Sequence, residues 1–449
     1  MKSKIQENGI TEGVIWKQLL LFFFPLLLGT FFQQLYNTVD AVIVGRFVGK
    51  EALAAVGGAA AMIVNLFVGF FTGVSTGATV TISQFYGGGA KKQVREAIHT
   101  AIAVSAAAGV AIMAAGLVCA PAALRWMNTP PETMADSIIY IRVYFCGMVG
   151  NLVYNMGAGI LRAMGDSKRP LYFLIASCLV NIVLDIFFVI ALGMGVLGVA
   201  LATILSQLFS AALVCISLSR LEEEIRMRFK EIRFHGWVVK RILAIGLPAG
   251  AQTLTYSLSN MIVQADVNYF GTSTVAAWTA YSKVDAVFWM VVSSFGVSVT
   301  TFVGQNYGAG YFSRVRKGVR QCLLMTAATS LVITVILLPG GKYLLGLFTK
   351  DQEVLTIGME MIRFLAPFYI TYVCVEIFSG ALRGMGDALI PMLLSFGGIC
   401  ILRSGWLLAA VPVWNHMKTV MFSYPLTWVT TSVLFAVYYS YYVKKRKIV

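Results

Sequence analysis

Two acidic side chains interrupt stretches of this chain that are otherwise apolar enough to cross a membrane. Asp40 comes late in the first such stretch, and Asp185 lies deep in the fifth. Each follows a polar residue by one helical turn, Tyr36 in the first case and Asn181 in the second. Side chains four positions apart share a helix face. The spacing therefore predicts a pocket that contains two carboxylates, an amide and a phenol.

Such an oxygen-rich set suits a hard cation or a pair of exchangeable protons. A hydroxyl from the sixth apolar stretch, either Thr203 or Ser206, can complete it. An acid inside a bilayer costs about 2.5–3.5 kcal/mol on insertion scales, so each one needs a function or a partner. The structural alternative is that each Asp caps a helix break or pairs with a base. Asp185 has no basic residue within one turn, and Arg46 lies further along the chain than one turn from Asp40.

For the other charged residues in the apolar stretches, the sequence does not indicate a single role. Glu376 lies in the tenth stretch, and three roles stay open for it: contact with a cationic substrate, a second protonation site, or a hydrogen bond across a helix interface. Asp266 and Asp285 lie nearer the ends of their stretches, where we expect solvated side chains. Arg403 has no evident partner in the sequence.

The chain is a tandem repeat with an offset of about 221 residues. Residues 159–166 (GILRAMGD) return as residues 380–387 (GALRGMGD), and residues 84–89 (QFYGGG) return as residues 305–310 (QNYGAG). Paired repeats in a membrane protein are typical of transporters, in which they enclose a site near the membrane midplane.

The acidic pair does not follow the repeat. At the same offset Asp185 aligns with Trp406, and Asp40 aligns with Ile262 or Val263. Packing roles should recur in both repeats, so this asymmetry favours a dedicated ion site in the first one. Glu376 in turn aligns with Asn155, which makes Asn155 a candidate for the same region of the first repeat.

Composition places the chain in a membrane. Of its 449 residues, 58% are apolar and 12% are charged, against roughly half and a quarter in soluble domains. We predict an all-α integral membrane protein with twelve transmembrane helices in two pseudo-symmetric six-helix bundles. The predicted spans are 15–45, 52–81, 95–120, 136–161, 170–192, 195–219, 239–268, 276–303, 316–340, 354–381, 389–412 and 417–443.

The net charge of +15 is distributed in favour of one membrane face. Basic residues concentrate between residues 220 and 241 and at the carboxyl end, which predicts that both termini are cytoplasmic. The predicted organisation is a lobe over 1–219, a linker over 220–238 that forms an amphipathic surface helix, and a lobe over 239–449. The topology explains the positive charge, so we expect a lipid bilayer and small molecules as partners and no nucleic acid.

No catalytic or cofactor motif is evident. The seven cysteines fall inside the apolar stretches, and the three histidines are scattered. We therefore expect neither an enzyme nor a bound cofactor. Pro25 in the first stretch removes a helix hydrogen bond and predicts a kink there.

Taken together, these features resemble the multidrug and toxic compound extrusion (MATE) transporters. The resemblance covers nearly the whole chain. It rests on the two six-span modules, the QFYG and QNYG loops at 84–87 and 305–308, the duplicated LRxMGD loops, and the segment from Pro25 to Asp40.

The resemblance implies a specific ion site. Positions of the DinF-like branch match Asp40, Asn181, Asp185 and Thr203, which would hold Na⁺ if sodium is the coupling ion. Tyr36 and Tyr140 match positions that line this site. The NorM-like branch uses an acid on the seventh span, where this chain has Tyr256, Ser257 and Asn260, so we do not expect that second site. Glu376 lies about one turn from the tenth-span acid of the family.

The predicted function is secondary antiport. An amphiphilic, cationic compound leaves the cell in exchange for inward Na⁺ or H⁺, by rocking of two lobes, and the protein is a monomer of the bacterial inner membrane. A flippase for a lipid-linked saccharide is the alternative. It would need several cations in its cavity to hold pyrophosphate, and only Arg142, Arg363 and Arg403 are available.

Overall fold

The computed structural model describes residues 10–446, and throughout that range the regular elements are helices. The all-α prediction is confirmed. The extreme ends of the chain, which the charge pattern assigns to the cytoplasm, lie outside the described residues.

Each repeat contributes eight α-helices to the described part of the chain. The first repeat forms α1 (Ile15–Ile43), α2 (Lys50–Gly57), α3 (Ala59–Gly87), α4 (Lys91–Trp126), α5 (Pro131–Cys146), α6 (Met148–Ala163), α7 (Lys168–Asp185) and α8 (Gly195–Ser219). The second forms α9 (Gly236–Tyr269), α10 (Thr272–Gly308), α11 (Phe312–Leu345), α12 (Gln352–Leu365), α13 (Tyr369–Gly384), α14 (Leu389–Ser395), α15 (Leu402–Ala410) and α16 (Met417–Lys445).

These helices combine into the predicted membrane spans. Within residues 10–446, ten helical stretches are long and apolar enough to cross a bilayer, and the bent pair α5–α6 makes an eleventh. The twelfth is α9, whose 34 residues exceed the roughly 20 needed. It is less apolar than the others because Gln252, Asn260 and Gln264 lie along it.

The fourth span is broken, whereas the sequence predicts one run over 136–161. Helices α5 and α6 meet at Gly147 with a bend of 49°. A Cβ at Gly147 would lie 2.3 Å from Cγ2 of Ile204 on α8, so the close packing of α8 allows only glycine there. In the second repeat, the 3₁₀ turn Ala366–Phe368 separates α12 from α13 at the matching position.

The repeated loops have the same conformation in both halves. Gly165 and Gly386 have positive φ angles of 93° and 96°, which glycine adopts readily. Asp166 then accepts hydrogen bonds from the backbone N–H groups of Lys168 and Arg169, and Asp387 accepts one from Ile390. The duplicated phrase therefore encodes a duplicated helix junction.

The chain divides into two compact units. One unit is Phe24–Gly250, and the other contains the described residues before Phe24 together with those from Ala251 onwards. Both boundaries fall inside long helices, beside Pro25 in α1 and beside Pro248 in α9. Helix α1 is continuous through Pro25.

Glycines explain why the start of α9 belongs to the unit Phe24–Gly250. Gly73 and Gly77 of α3 face Gly250 and Gly246 of α9, so the two backbones approach closely. A Cβ at Gly73 would lie only 2.4 Å from Cα of Gly250. Small residues spaced four apart are the usual way for membrane helices to pack this tightly.

The segment between α8 and α9 is not the amphipathic helix that the sequence predicts. Its only regular element is the 3₁₀ turn Phe229–Glu231. Ile225 and Met227 are buried, and the segment begins with a turn in which the backbone N–H groups of Ile225 and Arg226 donate to the Glu222 carbonyl. We call residues 220–235 the linker.

Side chains of α4 hold the linker in place. His99 Nε2 accepts a hydrogen bond of 3.0 Å from the backbone N–H of Arg228, and its Nδ1 donates to the Arg95 carbonyl. Arg95 forms an ion pair with Glu231, and Thr100 is hydrogen-bonded to His235. These contacts attach the linker to α4 at Arg228, at Glu231 and again at His235.

We predict that Glu231→Gln loosens the linker. The hydrogen bond from Arg95 lowers the pKa of the Glu231 carboxyl below its ordinary value. The stabilisation is therefore complete at neutral pH and is lost as the pH falls through that lowered pKa. Limited trypsin digestion of the purified protein should cleave the linker roughly two- to fivefold faster in the variant.

The control is Glu224→Gln, which removes a pair with Lys91 whose side chains are 60% and 56% exposed. Exposed pairs contribute little, so its cleavage rate should match that of the native protein. Equal cleavage rates for both variants would contradict the role of Glu231.

Candidate functional site

Both predicted acids lie where a helix changes its winding. Asp40 is in the last turn of α1, just before the π-helical turn Val44–Val48. Asp185 is the last residue of α7 and directly precedes the π-helical turn Ile186–Ala191. These two turns contact each other. π-Helical turns are rare and often mark functional positions, and here they bring the two acid-bearing helix ends together.

The structure buries the four residues of the predicted cation set. Asn181 and Asp185 have no exposed surface, Thr203 is 2% exposed and Asp40 is 9% exposed. The carboxyl groups of Asp40 and Asp185 are close enough to act on each other electrostatically.

These buried groups have unused hydrogen-bonding capacity. Within residues 10–446, no partner is found for Oδ1 of Asp40, for either carboxylate oxygen of Asp185, for either amide atom of Asn181, or for the Thr203 hydroxyl. An unsatisfied buried polar group costs about 1–3 kcal/mol, and more when it is charged. A concentration of such groups from three helices is the arrangement expected of a binding site.

The geometry distinguishes between the two hydroxyls that the sequence leaves open. Ser206 donates its hydroxyl hydrogen to the backbone carbonyl of Thr203 at 2.8 Å, and its own carbonyl accepts from Ser177 at 2.7 Å. Ser206 is thus engaged in holding α7 against α8. The Thr203 hydroxyl lies beside the Tyr36 phenol and has no bond to backbone among the described residues, so it faces the pocket.

Three tyrosines surround Asp40. Tyr36, Tyr140 and Tyr144 are all close enough for their hydroxyl groups to interact with its charge. The first two match the sequence prediction, whereas Tyr144 was not predicted. Its signal in the sequence was its spacing, since Tyr144 lies one turn after Tyr140 on α5.

A polar path leads from these tyrosines to a cavity. Gln207 of α8 donates a hydrogen bond of 3.1 Å to the Tyr144 hydroxyl, and Gln207 also lines a cavity of about 70 Å³. Asn155 lies in the same lining, where its amide donates to Asn151. The cavity lining is Phe32, Gln33, Tyr36, Asn151, Tyr154, Asn155, Leu174, Ser177, Cys178, Ser206, Gln207 and Ser210.

The available ligands limit which ions fit. The set contains carboxylate, amide and hydroxyl oxygens, which suit a hard cation such as Na⁺, or protons. In the described part of the chain, no three His, Cys, Asp or Glu side chains come together. Sites of the zinc type are therefore not assembled within residues 10–446.

The second repeat uses the matching positions for packing. Val263 is fully buried. Trp406 donates its indole N–H to the Thr419 carbonyl at 2.9 Å. The first repeat therefore has the buried acidic pair, and the second has packing residues at the matching positions.

The sequence predicts that Asp285 is solvated, but its carboxylate is hydrogen-bonded within the protein. Oδ1 accepts a hydrogen bond of 2.5 Å from the Tyr369 hydroxyl, and Oδ2 accepts one of 2.6 Å from the Trp289 indole. Tyr281 in turn lies 3.1 Å from the Tyr369 hydroxyl. The prediction failed because α10 is longer than expected and because Tyr369 is distant in sequence.

Arg403 also has partners that the sequence did not reveal. Its guanidinium donates to Thr427 at 3.1 Å and to Asn260 at 3.5 Å, and it stacks 4.1 Å from the ring centre of Tyr424. Stacking on an aromatic face stabilises a buried cation. Arg403 is thus held within the second repeat by groups from α9 and α16.

Glu376 packs across a helix interface. A Cβ added to Gly296 of α10 would lie 2.1 Å from the Glu376 carboxylate, and Arg383 lies 3.8 Å away on the same helix. These contacts support the helix-interface role among the three that the sequence leaves open.

Two membrane-embedded repeats and a buried, oxygen-rich pocket are features of a membrane transporter. The MatE family model matches residues 25–187 and 248–404, once in each repeat. The chain therefore belongs to the MATE family, whose members are transporters and not enzymes.

Similar proteins cover the chain almost completely. It is 27% identical to "Probable multidrug resistance protein YoeA" of Bacillus subtilis, over 97% of this chain and 95% of the relative. It is 24% identical to "FAD transporter" of Shewanella oneidensis, over 78% and 77% of the two chains.

Solved structures share the fold. One described as "Crystal structure of MATE in the bent conformation" superposes with a TM-score of 0.89 at 21% identity, and the match covers 98% of this chain and 97% of that one. A transporter of the MOP superfamily from Pyrococcus furiosus gives 0.88 at 21% identity, over 98% of both chains. The prediction of twelve helices in two repeated halves is confirmed.

We predict that Asp285→Asn destabilises the protein without abolishing exchange. The change replaces a charged acceptor of two short hydrogen bonds, which costs about 1.5–3 kcal/mol. Thermal unfolding of the purified protein should therefore begin at a lower temperature. The control is Asp266→Asn on α9, a half-buried acid, which should leave the melting temperature unchanged. Loss of gradient-driven exchange in a folded Asp285→Asn protein would show that this carboxylate has a transport role.

Proposed function

We propose that this transporter exports organic cations in exchange for Na⁺ or H⁺ that binds between Asp40 and Asp185. The observation that carries the proposal is the group of buried, unpartnered oxygens from Asp40, Asn181, Asp185 and Thr203. No basic side chain among the described residues forms an ion pair with either acid. A bound cation or proton would neutralise the charge that the fold leaves uncompensated.

Coupling follows from a shared charge requirement. With the ion bound, the pocket carries less negative charge and attracts an organic cation less strongly. With the ion released, the two carboxylates favour a cationic ligand in the adjoining cavity. A ligand shifts a conformational equilibrium only through its different affinity for the two states, and opposite preferences of ion and substrate provide exchange.

Helix α1 is the element we propose to respond to the ion. It carries both Asp40 and Pro25, so neutralisation of the acid acts on the helix that contains the weakened hydrogen-bonding position. Similar folds are described as MATE "in the bent conformation" and "in the straight conformation". We propose the same kind of bend here, followed by rocking of the two lobes.

The acidic pocket favours a cationic substrate. The Shewanella oneidensis relative is described as an FAD transporter, and FAD is an anion. In this chain the polar path from the cavity leads to two carboxylates, which would repel such an anion. Aromatic side chains in the cavity lining, Phe32, Tyr36 and Tyr154, suit a flat or amphiphilic cation.

We further propose the DinF-like branch, a monomeric state, a bacterial inner-membrane location and cytoplasmic termini. The duplicated fold and the basic linker support the proposal that both termini are cytoplasmic. The matching relatives, which are named for multidrug resistance, do not favour the flippase alternative.

Neutralising either acid should abolish exchange. In liposomes loaded with a fluorescent organic cation, we expect Asp40→Asn and Asp185→Asn to lose efflux driven by an inward Na⁺ or pH gradient. The physical reason is that losing one of the two carboxylates removes an ion ligand and reduces the charge difference between the ion-bound and ion-free states. Asp266→Asn, an acid on α9 outside the pocket, is the matched control and should retain efflux.

The same liposomes identify the ion, because a Na⁺ gradient and a pH gradient can be imposed separately. Efflux under only one of them assigns the coupling ion. Undiminished efflux from a folded protein with both acids neutralised would refute the proposed site.

Thr203→Val provides a finer test. Valine keeps the shape of threonine and removes the hydroxyl, so a sodium site loses one oxygen ligand. We expect the Na⁺ concentration for half-maximal exchange to rise by about tenfold, which corresponds to about 1.4 kcal/mol. Ser206→Ala is the control, since that hydroxyl is bonded to backbone. An unchanged Na⁺ dependence in Thr203→Val would remove Thr203 from the ligand set.

A further inference from the structure

The linker and the start of α9 expose aromatic side chains, of which Trp237 also contacts the Phe85 ring edge-on. Phe229 is 65% exposed, Phe234 is 59% exposed and Trp237, at the start of α9, is 46% exposed. Lys230 and Arg233 lie between them and are also exposed. The result is a short surface of alternating aromatic and basic character, which we call the aromatic–basic edge (residues 229–237).

The positive charge of this edge is not compensated by the protein. Of the four linker acids, Glu223, Glu224 and Glu231 form ion pairs with Arg226, Arg228, Lys91 and Arg95. Among the described residues, Lys230 and Arg233 form no ion pair. Arg233 donates only to the imidazole of His235. These two charges are therefore available to an anion from outside the protein.

The edge cannot turn its aromatic side chains inward. The backbone is tied to α4 at Arg228, through His99, and at His235, through Thr100. Ile225 and Met227 already occupy the inward-facing positions. Phe229 and Phe234 are thus held at the surface, whereas Glu231 and Ile232 face the rest of the unit Phe24–Gly250.

The position of the linker in the chain indicates that it lies next to the membrane. It joins the end of α8, a membrane span, to the start of α9, so its 16 residues lie at the membrane surface. Aromatic rings are favoured at the boundary between headgroups and acyl chains, and basic side chains there attract anionic headgroups. Both features occur together in residues 229–237.

We propose that the aromatic–basic edge binds anionic phospholipid at the membrane surface. Phe229, Phe234 and Trp237 enter the boundary region, and Lys230 and Arg233 contact lipid phosphates. The binding depends on the rigid attachment of the linker and does not depend on which ion drives transport. An acidic protein partner would not require three exposed aromatic rings beside the membrane, so the lipid surface is the better match.

The test uses the full-length protein in a neutral detergent. Short-chain phosphatidylglycerol is titrated, and the rise in melting temperature gives an apparent affinity. Phosphatidylcholine and inorganic phosphate are titrated in parallel. We expect phosphatidylglycerol to bind at least about tenfold more tightly than phosphatidylcholine, since each basic residue near an anionic surface contributes about a fivefold preference.

The test variant combines Phe229→Ser, Lys230→Gln, Arg233→Gln and Phe234→Ser, and it should lose this preference. The matched control combines Arg125→Gln and Trp126→Ser at the other end of α4, an equally adjacent and exposed basic–aromatic pair, and should keep it. If the test variant unfolds, Lys230→Gln with Arg233→Gln alone is compared with the charge-conserving Lys230→Arg with Arg233→Lys. The proposal then requires that Lys230→Gln with Arg233→Gln loses the preference for phosphatidylglycerol. The variant Lys230→Arg with Arg233→Lys must keep it.

Three results would overturn the proposal. One is an unchanged preference for phosphatidylglycerol in folded linker variants. Another is equal stabilisation by phosphatidylcholine in the native protein. The third is full stabilisation by inorganic phosphate, which would indicate a site for a free anion and no membrane contact.

Discussion

The uncompensated burial of two carboxylates is the constraint on which the rest of this structure depends. Asp40 and Asp185 are placed among apolar helices where an isolated charge is strongly unfavourable. Oδ1 of Asp40 and both carboxylate oxygens of Asp185 have no partner among the described residues, and the neighbouring Asn181 amide and Thr203 hydroxyl have none either. A protein that only required stability would replace such a pair with apolar side chains. Their retention is explained when a mobile cation completes the site during each transport cycle.

In the second repeat, buried charged side chains outside the proposed ion site have partners within the protein. Asp285 has a donor on each oxygen, and Arg403 has two acceptors and an aromatic face. Hydrogen-bonded buried networks of this kind are more rigid than unpartnered groups. The two repeats therefore share one fold and differ in function. In the proposed mechanism, the first repeat carries the site that changes its charge, and the second provides a fixed structure.

Much of this organisation is predictable from the sequence because it is periodic or local. Apolar length predicts the spans, the offset of about 221 residues predicts the duplication, and one-turn spacing predicts the partner of each acid. Contacts between distant segments are not encoded in this way. Tyr369 reaches Asp285 across 84 residues, and Gln207 reaches Tyr144 across 63. The linker was predicted as a helix from its charge pattern, whereas α4 holds it as turns and irregular backbone through His99 and Thr100.

The central claim is that the coupling ion and the substrate favour opposite states of one carboxylate pair. Binding linkage is reciprocal, so substrate binding must lower the affinity for the ion. The direct measurement is to add tetraphenylphosphonium to the purified protein in weakly buffered detergent solution, while pH and Na⁺ electrodes record released ions. The account predicts release of H⁺ or Na⁺ from the native protein and none from Asp40→Asn. Saturable binding of tetraphenylphosphonium to the native protein without release of either ion would contradict it.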